Sequence, residues 1–167
     1  MAAGATYTPL ATYTISTAQN SYTFTSIPNT YTDLVLVANL SCSPGYMTYR
    51  VGSSNTIDSG NNYSRTYLLG NGSTATSGRS TNVSEFYSNA AASSSKFAPT
   101  IMHFNNYANT SIYKTILSRS SDADSGVEAA VFLWRSTNAI NTISIIGPSG
   151  QNLAVGSSMT LYGIAAA

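Results

Sequence analysis

The chain has 167 residues and only 13 charged side chains, 7 Lys or Arg against 6 Asp or Glu, whereas Ser, Thr and Asn number 27, 21 and 15. Seven basic residues scattered between Arg50 and Arg135 form no phosphate-neutralising patch, which excludes nucleic acid and an anionic membrane surface as partners. Ile, Leu, Val and Phe total 33, a thin core, but disorder also needs a high net charge and this chain carries only +1, so one folded domain is expected. Helix signals are nearly absent, because β-branched and aromatic residues dominate and no apolar pattern recurs at helical spacing.

Period-two alternation predicts strands over 12–16 (TYTIS) and 21–25 (SYTFT), joined by a hairpin loop at 18–20. After a Pro28-containing turn, 33–40 (DLVLVANL) is apolar on both faces, the pattern of a central, fully covered strand. Ser43-Pro44-Gly45 ends it, 46–51 alternates again, and 52–62 is a polar loop. A strand over 63–69 stops at Gly70-Asn71-Gly72. The small-residue stretches 70–80 and 89–95, flanking the segment 81–88, are predicted surface loops suited to recognition.

The second half predicts strands over 98–107, 111–118 and 127–134, linked by a turn at 105–109 and an acidic loop at 120–126. Then come 141–146, a turn at 147–150, a short 153–155 and a last strand over 159–164. About ten short strands make an all-β, antiparallel β-sandwich, with a jelly-roll-like arrangement favoured. A single domain over 1–167 with short arms at about 1–10 and 165–167 is expected, the arms held by subunit or particle contacts. Thr-Tyr-Thr at 6–8, 12–14 and 30–32 does not continue as a repeat. The longest apolar run is 34–38 and the start lacks a basic, apolar leader, so synthesis and assembly in the cytoplasm are expected.

Candidates for chemistry are few. Cys42 and His103 each stand alone and are expected as ordinary strand residues, so no zinc site and no cofactor is expected. A serine nucleophile would have only His103 as base, and no Gly-x-Ser-x-Gly elbow occurs. Asp122, Asp124 and Glu128 are the one close acidic set, to be weighed as glycosidase carboxylates or a weak Ca²⁺ loop against an Asx-rich turn, which is the expectation. Twelve tyrosines remain, stiff amphipathic side chains suited to interfaces and to cross-strand packing. Tyr7, Tyr13, Tyr46, Tyr49, Tyr63, Tyr67, Trp134 and Arg135 are the candidate interface residues, with Trp134 expected in the core or a subunit contact.

Several segments carry a resemblance: SYTFTSIPNTYTDLVL (21–36), NYS (62–64) with YLLGNGS (67–73), LWRSTNAI (133–140) with TIS (142–144), and the ending GSSMTLYGI (156–164). In this order they resemble a family of small virion proteins of tailed bacteriophages of aquatic bacteria, cyanophages among them. The resemblance implies a non-enzymatic, β-rich particle component, either a capsid decoration (cement) protein bound to the major capsid protein or part of a tail fibre contacting host glycans. It carries no catalytic residue. A homotrimer located in the virion is expected by analogy with such proteins.

Overall fold

The computed structural model describes residues 6–43, 46–91 and 96–165. Thirteen strands form two antiparallel sheets, and the one helical element among the described residues is a 3₁₀ turn at Pro148–Gly150, where a Pro-led turn was predicted. In chain order the strands are β1 (Tyr7–Thr14), β2 (Ser21–Phe24), β3 (Asp33–Leu40), β4 (Met47–Ser53) and β5 (Thr56–Ile57). Next come β6 (Tyr63–Gly70), β7 (Ala75–Val83), β8 (Phe86–Ser88) and β9 (Ala98–Phe104). The last four are β10 (Lys114–Asp122), β11 (Gly126–Trp134), β12 (Thr142–Ile146) and β13 (Ser158–Ile164).

One sheet has eight strands in the order β1-β13-β3-β9-β10-β11-β6-β7; the other runs β2-β12-β4-β5, with β8 also pairing β4. If β1, β2, β3, β4, β8, β9, β12 and β13 are numbered one to eight, the first sheet begins first-eighth-third-sixth. The second sheet then reads second-seventh-fourth-fifth. That is the doubly wound Greek-key order of a jelly roll. The remaining strands are insertions: β5, β6 and β7 fall between β4 and β8, and the β10–β11 hairpin between β9 and β12. Because β11 pairs β6, the two insertions meet and widen the first sheet to eight strands.

The core lies between the sheets. Leu34 and Leu36 of β3, Met102 and Phe104 of β9, and Phe132 and Trp134 of β11 face Ile143 and Ile145 of β12, Tyr49 and Val51 of β4, and Phe86 of β8, all buried. Phe86 stacks on Phe132 with ring centroids 4.7 Å apart and meets Tyr63 edge-on at 4.8 Å, so β8 is held down by ring contacts. One ion pair is sealed inside: Arg65 Nη2 lies 3.1 Å from Glu128 Oε2, with both side chains inaccessible. The Arg65 guanidinium is sandwiched between the rings of Tyr67 and Tyr87, 3.9 and 3.8 Å from their centroids. Glu128 Oε2 also accepts the Asn89 N–H at 2.9 Å.

Several expectations change. The stretch 70–80, read as a loop, forms most of β7, a nine-residue edge strand exposed along much of its length, so it shows no alternation to read. The expected arm over 1–10 is in part a strand, since Tyr7 onward pairs with β13 from Tyr7↔Ile164 to Thr14↔Ser158; residues 1–5, 92–95 and 166–167 of the expected arms and loop lie outside the described residues. The short strand at 153–155 reduces to a single Gln19↔Leu153 bridge. Inside the expected loop 52–62, Ser54 and Asn55 both take positive φ and turn β4 into β5 as a tight hairpin.

Candidate interaction face

The predicted site residues divide by the face each strand position takes. Tyr49, Tyr63 and Trp134 are buried in the sandwich, because all three occupy inward positions of their strands, and they offer no surface to a partner. Trp134 Nε1 donates to Asp58 Oδ2 at 2.7 Å, and the Tyr63 hydroxyl lies 2.7 Å from the Asp58 carbonyl and 2.9 Å from that of Val51. Tyr67 also points inward, its ring flat against Gly78 and Arg65. Tyr13 is half-buried and stacks on Tyr22 at 3.9 Å between the two sheets, because β1 pairs β13 and β2 pairs β12; the hairpin expected to join 12–16 and 21–25 does not form. Tyr7, on the β1 edge, is exposed and meets Tyr162 edge-on at 6.0 Å. Arg135 is a clamp at one margin of the large sheet, donating to Ser64 Oγ, to the Asn61 carbonyl at 2.9 Å and to Asn82 Oδ1 at 2.8 Å.

Tyr46 belongs to a second feature. It meets Tyr87 edge-on at 6.5 Å beside the Arg50–Glu85 ion pair (3.1 Å), and with Thr48, Glu85, Tyr87 and Asn89 it lines a concavity of about 250 Å³ at the β4–β8 edge.

The acidic set does not converge on a groove. Asp122 Oδ1 accepts the Asp124 N–H at 3.1 Å and its carbonyl accepts the Ser125 N–H at 3.0 Å, the Asx-rich turn expected there. Asp124 is open to solvent and paired with Lys96, and Glu128 is sealed in the interior. Among the described residues no three His, Cys, Asp or Glu side chains form a group that could hold a metal ion. His103 Nε2 lies 3.0 Å from Asp33 Oδ2, whose other oxygen accepts the Asn106 N–H at 2.7 Å. Cys42 is buried and unpaired, and burial raises its thiol pKa.

The most unusual surface is one that sequence reasoning did not single out. A sheet covered on one side normally alternates apolar residues inward with polar residues outward. Strands β9, β10, β11 and β6 keep the alternation of burial, yet Ile101, Leu117, Val127, Ala129, Val131, Leu133 and Leu68 stand at outward positions among the polar ones. The register sets Val37, Ile101, Arg119, Ala129 and Leu68 side by side in one row across five strands. In the next row stand His103, Leu117, Val131, Thr66 and Arg79. Leu68 is 65% exposed, Val127 61% and Leu117 51%, so the patch is bare and contiguous. The readable signal is that 33–40 and 127–134 are apolar on both faces; on the outer side Val35 is buried as expected, whereas the described residues leave Val37, Val127 and Val131 uncovered.

No protein-family model matches this chain, and a search of curated proteins returns no match.

Proposed function

We propose that the chain is a non-enzymatic structural component of a tailed-bacteriophage particle, a capsid decoration protein that lies flat on the major capsid shell through the outer face of its eight-stranded sheet. The observation that carries this reading is the contiguous aliphatic patch on that face, centred on Leu117, Ile101 and Val131, which a chain acting alone has no reason to expose. The resemblance to small phage virion proteins, the jelly-roll strand order and the nearly uncharged surface support it. The mechanism is added contact area between neighbouring shell subunits, so that internal pressure acts on more interface; assembly takes place in the host cytoplasm, and a homotrimer belongs to the same proposal.

Antibody labelling and stoichiometry of purified particles test it. Hundreds of copies at regular shell positions are expected, and a few copies at the tail overturn it in favour of a fibre module. One observation favours that second reading: the concavity of Tyr46 and Tyr87 with Glu85 and Asn89 combines aromatic edges with a carboxylate and an amide, groups that suit sugar hydroxyls. Saccharide binding on a glycan array, lost in Tyr46→Ala, would establish the fibre reading, and a blank array supports the shell.

A further inference from the structure

The aliphatic face carries cations and no free anion. Arg119 stands in its middle, between Ile101 and Ala129 in the row and two residues from Leu117 along β10. Arg79 lies in the neighbouring row on β7, and no described Asp or Glu side chain pairs with either guanidinium. The one carboxylate at this face, Asp33, is already held by His103 and the Asn106 N–H.

The chain's other acids are engaged as well. Asp58 accepts from Trp134 Nε1, Asn62 and Gly60, and Glu85 pairs with Arg50. Asp122 closes its turn, Asp124 pairs with Lys96, and Glu128 is sealed with Arg65. A second copy docking through this same face would bury Arg119 against a face whose carboxylate, Asp33, is already held, an arrangement that leaves an uncompensated charge in the contact. With about 4.8 Å between strands and about 6.8 Å between successive same-face residues, the two rows at the centre of the face cover roughly 330 Å². A specific interface takes about 800 Å² from each partner, so the Ser and Thr positions around the patch complete it as a polar rim.

We infer that the outer face of the eight-stranded sheet binds a different protein, through an apolar surface of that protein bearing a carboxylate that meets Arg119. Leu68, Leu117, Ile101 and Val131 supply the apolar contact, and Arg119 selects the partner by its charge. This rests on the reading of the chain as a component that docks on another particle protein, and it names the chemistry of that partner.

The probe is a pair of twelve-carbon amphiphiles of opposite charge, dodecanoate and dodecyltrimethylammonium, titrated below their micelle-forming concentrations while methyl NMR signals are followed. Dodecanoate is expected to shift the methyl signals of Leu68, Leu117 and Val131 with at least about fivefold higher affinity than the cation. Arg119→Lys should keep that preference and Arg119→Glu should invert it, with unchanged thermal unfolding because the side chain is exposed. Equal affinities, shifts centred elsewhere, or sedimentation showing self-association that Leu117→Lys abolishes would each overturn the inference. Particle analysis separates the two proposals. If the chain is incorporated and Arg119→Glu is incorporated equally well, this inference fails and the shell reading stands. If particles lack the chain while the amphiphile preference holds, the shell reading fails and this inference stands.

Discussion

Asp58 shows how much one polar residue can organise in a chain with so few charges. Its carboxylate accepts from Trp134 Nε1 (2.7 Å), Gly60 N (2.8 Å) and Asn62 Nδ2 (2.9 Å), while its carbonyl receives the Tyr63 hydroxyl. Partial burial raises its pKa, but the three donors outweigh burial and hold it below the ordinary value of 3.8. A depressed acid contributes stability that is complete above its unfolded value and is lost as pH falls through the folded one. Asp58→Asn should therefore cost about 1–3 kcal/mol at neutral pH and flatten the loss of stability below about pH 4, as read from urea midpoints across that range. Glu128 is the residue whose role sequence most misled: spacing grouped it with Asp122 and Asp124, and only the inward face of β11 makes it the partner of Arg65. Arg65→Met should cost about 3–5 kcal/mol by leaving Glu128 buried and unpaired, and Arg65→Met with Glu128→Leu should recover much of it in the same denaturant assay.

At the scale of elements, the strands legible in the sequence are those with one covered face. Thr12 to Thr14 and Ser21 to Phe24 alternate because one side packs inward, and Asn-rich or Pro-led turns mark their ends. Strand β7 was illegible because it pairs on one edge only and its Ser, Thr and Gly side chains mostly face water. It still has a structural task, since Gly78 lets the Tyr67 ring lie against the β7 backbone; a Cβ there would come within 2.6 Å of that ring. Gly78→Val should displace Tyr67 from Arg65 and destabilise the domain by about 1–3 kcal/mol, visible as a lower urea midpoint and an altered tyrosine signal. Edge β1 is blunted differently, by Pro9 and a bulge between Pro9 and Ala11, so it makes a poor template for adding a strand.

For the whole molecule, stability and binding separate by face. Tyr49 and Tyr63 are raised well above the ordinary phenol value of 10 by burial, and Tyr107 is raised by the same cause. Their neutral forms stabilise the fold fully below pH 10, and that contribution is lost as pH rises beyond it, so unfolding midpoints should fall on the alkaline side. Lysine at Leu68 and Leu117 together, by contrast, should leave the unfolding midpoint nearly unchanged, with a cost within about 0.5 kcal/mol per site, while abolishing attachment to shells in a co-sedimentation assay. The amino-acid sequence by itself determined the all-β class, the sandwich and most strand positions, because period-two burial and turn chemistry are local. It also determined the sparse charge that leaves so few groups free for ionic or catalytic work. Only the tertiary structure decided that two insertions meet as β11 and β6 to widen one sheet, that the tyrosines at 49 and 63 go inside, and that Arg119 emerges amid aliphatic neighbours. Those outcomes depend on which strands pair and in what register, a property of contacts far apart in the chain that no local pattern encodes.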